Sequence, residues 1–132
     1  MAYWLLKTEP GTYSYDDLAR EGTTRWDGVR SPAALRHIRT MAPGDRCIIY
    51  HSGTVRAAVG LAEVTTEPYA DPEAGDPKLA VVDVRALGRL REAVALATIK
   101  ANPLFAASPL LRESRLSVVP LTEGQYRAIA GG

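Results

Sequence analysis

Trp26 opens a stretch of seven residues whose types are suited to ligand binding. The indole is an aromatic surface, Gly28 lets the backbone turn or approach a ligand closely, and Arg30 adds a cation. Ser31 before Pro32 is a typical helix start, with serine as N-cap and proline in the first turn. The stretch could hold a flat, polar or anionic ligand. The alternative is that Trp26 belongs to the core and the rest is a loop.

The sequence offers fewer candidate residues for catalysis than for binding. His51 could be a general base with Ser52 or Cys47 as nucleophile. Neighbours on a strand point to opposite faces, which separates Ser52 from His51, and Cys47 would lie about 13 Å from His51 along the same face. Neither His51 nor His37 has metal-ligand spacing to a cysteine or a second histidine. We therefore expect no enzyme, no catalytic residue, no metal and no cofactor.

Four clusters are better candidates for binding, because each mixes an aromatic or apolar group with hydrogen-bonding side chains at the end of a strand or helix. The sequence alone leaves open whether they converge. The clusters are Lys7-Thr8, Trp26 to Ser31, Tyr50-His51-Ser52 and Ser114-Arg115-Leu116-Ser117.

The elements around these clusters follow from hydrophobic periodicity and capping signals. Ser14 caps a helix that ends near Gly22, Ser31 starts a second helix, and Thr122 with Gln125 forms a capping box for the last one. Strands are predicted over 2–8, 46–51, 55–66, 79–87 and 116–121, with a surface loop without packed structure over 68–77 and mixed signals over 94–111. This order predicts an α+β protein, a small, mostly antiparallel β-barrel flanked by short helices.

The totals predict one domain over residues 1–132. With 46% hydrophobic and 23% charged residues, the composition is that of a soluble globular protein, and no apolar run approaches the roughly 20 residues of a membrane span. The first residues resemble a strand more than a signal peptide. The single cysteine, Cys47, favours a reduced, cytoplasmic protein. We expect a monomer without membrane partners.

Charge is unevenly distributed along the chain. Residues 20–56 contain seven arginines and three acidic residues, a net charge of +4, whereas residues 63–83 contain six acidic residues and one lysine, a net charge of −5. Such polarity suits a small basic footprint for phosphate contacts and argues against broad, tight, non-specific binding of nucleic acid. The alternative is two solvated faces of opposite sign.

Eight segments together resemble an EVE domain, a member of the PUA-like superfamily that is more distantly similar to YTH domains. They occur in family order and cover nearly the whole chain. The segments are Tyr3 to Pro10, Tyr13 to Leu18, Trp26 to Arg30, Tyr50 to Ser52, Tyr69 to Pro72, Val82 to Arg85, Ile99-Lys100 and Ser114 to Val118.

The resemblance implies a PUA-like barrel that reads a modified base in DNA or RNA: methylated or hydroxymethylated cytosine, or methylated adenine. It also implies an association with defence or restriction proteins. The family's pocket residues correspond to Lys7, Thr8, Trp26, Val29, Arg30, Tyr50, His51, Ser52, Arg115 and Ser117. Two departures bear on which base is preferred: Ser31-Pro32 replaces the usual asparagine and its polar helix start, and the loop over 71–77 is shorter than usual.

On this interpretation the base leaves its stack and lies on Trp26, with Tyr50 or an apolar residue opposite. Thr8, Val29, Ser31, His51, Ser52 and Ser117 line the pocket, and Lys7, Arg30 and Arg115 hold the flanking phosphates. Three alternatives remain open. They are a structured-RNA binder that uses the basic segment 20–56, a small-molecule or nucleotide hydrolase with His51 as base, and a structural module that binds no nucleic acid.

Overall fold

Seven strands form the framework of residues 1–131, the part of the chain that this computed structural model describes. Five short helices and a 3₁₀ turn surround them in the same part of the chain. The strands are β1 (Tyr3–Thr8), β2 (Thr23–Trp26), β3 (Arg46–His51), β4 (Ala57–Val64), β5 (Tyr69–Ala70), β6 (Ala80–Ala95) and β7 (Val118–Leu121). The helices are α1 (Tyr15–Glu21), α2 (Pro32–Ile38), α3 (Leu96–Lys100), α4 (Pro109–Arg112) and α5 (Glu123–Ala130), and the 3₁₀ turn is Pro103–Phe105.

The strands form one sheet in the order β2-β6-β4-β3-β1-β7, with β5 paired to β6. Within residues 1–131 only β1 and β3 run parallel, so the predicted α+β class and the mostly antiparallel pairing are confirmed. The barrel is not closed, because the end strands β2 and β7 do not pair within residues 1–131. Helix α2 packs against both β6 and β7 and takes the place of that pairing.

Local signals placed the helix starts correctly. Ser14 accepts from the backbone N–H of Asp17, whose carboxylate accepts from the N–H of Ser14. Ser31 caps α2 through the N–H of Ala34, and Thr122 forms the expected reciprocal pair with Gln125. These short helices begin where a side chain satisfies backbone donors that the helix itself leaves unpaired.

Three sequence predictions need correction. Strand β6 continues to Ala95, well past the predicted end at Leu87, because its second half pairs with β4 although much of it is exposed. Strand β2 was not predicted, since its sequence Thr-Thr-Arg-Trp has no apolar alternation. The loop over 68–77 was predicted to lack packed structure, but it contains β5, and the Tyr69 hydroxyl donates to Asp83 at 2.5 Å.

The core lies between the sheet and its helices. Strand β3 is buried from Cys47 to His51, as its continuous apolar sequence predicts. Tyr15 at the start of α1 is almost fully buried, and its hydroxyl donates to the carbonyl of Leu61 at 2.7 Å and accepts from the N–H of Gly88 at 2.9 Å. One side chain thereby joins α1 to β4 and β6.

A second buried polar group joins the chain start to the turn before β3. Both carboxylate oxygens of Asp45 accept hydrogen bonds, from the N–H of Ala2 at 3.0 Å, the N–H of Ala42 at 3.0 Å and the indole N–H of Trp4 at 3.1 Å. The Trp4 ring also packs against His37, with the two centroids 5.7 Å apart. We call this cluster the Trp4 corner.

None of the helices in residues 1–131 combines the length and apolarity needed to cross a bilayer. Over the same residues, no set of three or more histidine, cysteine, aspartate or glutamate side chains is arranged to hold a metal ion.

Candidate functional site

The candidate site is a hollow of about 450 Å³ where β1, β2 and the residues before β7 meet. We call it the Trp26 pocket. The backbone N–H of Lys7 donates to the carbonyl of Ser117 at 2.9 Å, which closes the pocket wall between two distant parts of the chain. Its lining residues are Lys7, Thr8, Thr12, Tyr13, Thr24, Arg25, Trp26, Asp27, Gly28, Val29 and Ser117.

Two aromatic rings form the apolar part of the pocket. The rings of Tyr13 and Trp26 meet edge to face, with centroids 6.2 Å apart and planes at 84°. Trp26 is only 6% exposed and is part of the hydrophobic core, so the indole both supports the fold and lines the pocket. The core position that the sequence offered as an alternative is therefore confirmed, and the ligand contact of Trp26 stays a prediction.

Hydrogen bonds fix Tyr13 in place. The hydroxyl of Thr8 donates to the Tyr13 carbonyl at 2.7 Å, and the Tyr13 phenol donates to the carboxylate of Glu21 at 2.5 Å. Burial, together with this bond to Glu21, raises the pKa of Tyr13 to about 12. Tyr13 therefore stays neutral at physiological pH and presents a rigid ring to the pocket.

The loop after β2 forms the outer rim. Gly28 has φ = +79°, a conformation that side chains with a Cβ rarely adopt, and this turn separates exposed Asp27 from buried Val29. An exposed carboxylate and an apolar side chain are thus placed side by side at the mouth of the pocket.

Arg25 on the pocket wall is bound to the acidic loop. Its guanidinium lies 3.3 Å from the Asp71 carboxylate and 3.4 Å from that of Glu73, and its Nε lies 3.4 Å from the Tyr69 hydroxyl. The oppositely charged segments 20–56 and 63–83 therefore contact each other at this point. Arg25 is largely neutralised as a phosphate ligand.

A second hollow, of about 420 Å³, adjoins the first and shares Lys7 with it. We call it the basic pocket. Tyr50 and Ser52, predicted to read the base, line this hollow and not the Trp26 pocket. The residues predicted to form a single base pocket are therefore split between two pockets, which share Lys7.

Ser31 and Arg115 line a third, shallower hollow of about 400 Å³. The Ser31 hydroxyl is already the acceptor that caps α2, at 3.1 Å from the Ala34 nitrogen. Arg30 is exposed and lines none of the three hollows. The structure thus brings five of the predicted site residues together in the Trp26 pocket: Lys7, Thr8, Trp26, Val29 and Ser117.

His51 lines none of these hollows. It is buried, and its Nε2 accepts the backbone N–H of Tyr15 at 3.0 Å, which requires the neutral imidazole. Burial, and then the charge of Arg89, lower the pKa of His51. Cys47 is also buried, and burial raises the pKa of its thiol. His51 and Cys47 are therefore engaged in the fold, whereas Ser52, the other candidate nucleophile, is half-buried and lines the basic pocket.

Sequence reasoning missed four pocket residues: Thr12, Tyr13, Thr24 and Arg25. Tyr13 lies within a segment that carries the family resemblance, but nothing in its local pattern distinguishes a pocket wall from a loop. These residues meet only because α1 and β2 fold back beside β1.

The EVE domain family model matches residues 2–131. A Rhodopseudomonas palustris protein solved by NMR is 38% identical, with 99% of this chain and 92% of that chain covered and a TM-score of 0.92. An Agrobacterium tumefaciens crystal structure is 36% identical, with the same coverage and a TM-score of 0.95.

The human THYN1 protein, solved in complex with DNA containing 5-methylcytosine, is 27% identical, with 99% of this chain and 96% of that chain covered and a TM-score of 0.89. No curated protein matches the chain.

Proposed function

The chain belongs to the EVE domain family, and from that membership we propose that it binds nucleic acid carrying a modified base, which enters the Trp26 pocket. The observation that carries the proposal is the pocket itself: about 450 Å³, lined both by two aromatic rings and by hydrogen-bonding groups. Sites for small flat ligands generally have this size and composition. The human relative in complex with 5-methylcytosine DNA supports DNA as the ligand class.

The aromatic side of the pocket favours a base outside its stack. Extruding a base from a duplex costs a few kcal/mol, and contact with an aromatic side chain recovers about 1–3 kcal/mol. The Trp26 and Tyr13 rings that line the pocket provide that contact. Val29, buried at the mouth, is an apolar neighbour for a methyl group.

The polar side of the pocket favours a base with an amino group. The Asp27 carboxylate can only accept hydrogen bonds, and the exocyclic amine of cytosine or adenine is a donor. The hydroxyls of Thr24 and Ser117 can donate or accept and so suit the ring nitrogen and carbonyl beside that amine. A methylated cytosine fits this arrangement.

We expect selectivity to be modest. A methyl group in an apolar pocket is worth about 1–3 kcal/mol, and a methylated cytosine or adenine is neutral, so no cation–π attraction adds to it. Because Arg25 is held by Asp71 and Glu73, it adds little to the binding of phosphates at this pocket.

The test is binding of short single- and double-stranded DNA and RNA oligonucleotides, each with one 5-methylcytosine, one 5-hydroxymethylcytosine, one N6-methyladenine or no modification. We expect one modified oligonucleotide to bind about tenfold more tightly than its unmodified partner, which corresponds to one well-placed methyl group. Equal binding of all oligonucleotides by the wild-type chain would refute the proposal.

Asp27→Ala provides a variant without risk to the fold, because Asp27 is exposed. It should reduce the ratio of modified to unmodified binding several-fold, since the amino group loses its acceptor. Glu92→Ala removes an equally exposed acid from β6, away from the three hollows, and should leave that ratio unchanged.

A further inference from the structure

The basic pocket has a composition unlike that of the Trp26 pocket. Three cations line it, Lys7, Arg56 and Lys100, and none of its lining residues, all within residues 1–131, is acidic. Neither Arg56 nor Lys100 forms an ion pair with another described residue. The remaining lining residues are Tyr50, Ser52, Gly53, Leu96, Leu110 and Ser114.

The sheet brings these cations together from distant parts of the chain. Lys7 and Tyr50 are register partners in the parallel pair β1–β3. The carbonyl of Arg56 accepts from the N–H of Leu96 at 2.9 Å, which fixes the start of α3 beside Arg56 and places Lys100 at the far end of that short helix. The three charges are therefore positioned by backbone pairing.

Lys7 lies between the two hollows. Its Nζ donates to the carbonyl of Ser114 at 3.0 Å and lies 6.0 Å from the centre of the Tyr50 ring. The side chain is half-buried, and burial lowers its pKa. An anion placed beside it would stabilise the charged ammonium that burial disfavours.

Arg56 is held in an unfavourable backbone conformation. It has φ = +50° and is the only non-glycine residue in 1–131 with a positive φ. Its Nε donates to the carbonyl of Gly53 at 3.1 Å, so the guanidinium folds back over the turn that borders the pocket. Strain of this kind in a non-glycine residue is concentrated at ligand sites.

The wall of the Trp26 pocket that β2 contributes does not offer such a path. There the pocket wall carries Arg25, which Asp71 and Glu73 neutralise, and the acidic loop would repel a phosphate. A nucleic-acid strand whose base lies in the Trp26 pocket therefore meets positive charge near Lys7 and negative charge near Arg25.

We propose that the basic pocket binds the phosphodiester next to the base held in the Trp26 pocket, with Lys7, Arg56 and Lys100 as its ligands. This assignment rests on the proposed function, because it takes the base in the Trp26 pocket as the starting point of the strand. It sets the direction in which the strand leaves the Trp26 pocket.

The first test compares two double variants of the full chain with equal loss of charge. Arg56→Asn with Lys100→Gln changes the basic pocket, and asparagine tolerates a positive φ. Lys78→Gln with Arg91→Asn removes two exposed cations that line none of the three hollows. Binding of modified and unmodified oligonucleotides is measured across salt concentrations.

We expect the basic-pocket variant to weaken binding of both oligonucleotides by the same factor, about fivefold or more, and to lower the slope of log Kd against log salt by about 1. The ratio of modified to unmodified binding should stay as in the wild type. An unchanged slope, or an equal change in the control variant, would overturn the assignment.

The second test removes the charge from the ligand. One methylphosphonate linkage, which is neutral, replaces the phosphodiester on the 5′ or the 3′ side of the modified base. One of these positions should weaken wild-type binding and have a smaller effect on the basic-pocket variant, in which only Lys7 of the three cations remains. If both positions leave wild-type binding unchanged, the pocket does not hold the adjacent phosphate.

Failure of the two proposals can be distinguished. In one outcome, the wild-type protein shows no preference for any modified base, but the salt slope falls only in the basic-pocket variant. This outcome refutes the base reader and supports the phosphate site. A preserved base preference with no response to the basic-pocket variant or the methylphosphonates refutes the phosphate site alone.

Discussion

The two tryptophans of this chain are equally buried, at 6% exposed each, but they lie in unlike surroundings. At the Trp4 corner, the indole N–H donates to Asp45 and the ring packs on His37. Trp26 faces a hollow of about 450 Å³ that Tyr13 borders. Burial alone therefore does not separate a structural tryptophan from one that can contact a ligand; what lies against the ring does.

The largest effect should come from Asp45→Ala, which leaves three hydrogen-bond donors without their acceptor, one of them the buried Trp4 indole. We expect the free energy of unfolding to fall by about 3 kcal/mol, measured by chemical denaturation. Asp45→Asn keeps one acceptor oxygen and should lose less. A folded Asp45→Ala protein that lost its base selectivity would contradict the separation of the two regions.

The tryptophans themselves give the next prediction. Trp4→Phe and Trp26→Phe should each lower the free energy of unfolding by about 2 kcal/mol, since both leave space in a packed core. Only Trp26→Phe should reduce the preference for the modified oligonucleotide, several-fold, because only Trp26 lines the pocket. Equal losses of selectivity in both variants would show that Trp26 acts through the fold alone.

A matched pair of glycines tests the same comparison with a smaller change. Gly28 beside Trp26 and Gly44 beside Asp45 both have positive φ, and an added Cβ would meet no atom within 4 Å at either position. Gly28→Ala and Gly44→Ala should therefore each cost about 1 kcal/mol of stability through backbone strain alone. Oligonucleotide binding should weaken only in Gly28→Ala, since that loop forms the pocket rim.

The smallest effect concerns pH. His51 accepts the Tyr15 N–H only when neutral, and its pKa is lowered in the folded chain, so the unfolded chain binds the proton more readily. The stability that this contact provides should be complete above the ordinary histidine pKa of about 6.5 and decline as the pH falls through it. Denaturation midpoints measured from pH 8 to pH 5 report this.

In His51→Gln the amide oxygen can still accept, so this pH dependence should disappear, whereas His37→Gln should retain it. An unchanged pH profile in His51→Gln would contradict the structural role of His51, which would then again be a candidate for contacting the base.

The sequence predicted the parts of this fold that short segments determine. Ser14 with Asp17 and Ser31 with Pro32 place two helix starts, because a cap acts within four residues. The second half of β6 was missed, since its exposed residues show no alternation and only pairing with β4 makes them a strand.

The site was predicted in part for the same reason. Lys7, Trp26 and Ser117 were assigned through a resemblance that covers the chain. Tyr50 and Ser52 line the basic pocket and not the Trp26 pocket. Which pocket each side chain lines is decided by the assembled sheet and cannot be read from the local sequence. His51 was assigned to the base, but its acceptor nitrogen is taken by Tyr15, 36 residues away in sequence.

The pairing of β1 with β7 has a consequence for how the chain folds during its synthesis. The first strand is held by the last one, and the Trp26 pocket is closed by the bond from Lys7 to Ser117. Contacts so distant in sequence form late, because a long loop must close before they are made. During synthesis, the Trp26 pocket therefore stays without its Ser117 wall until residues 117–121 have left the ribosome.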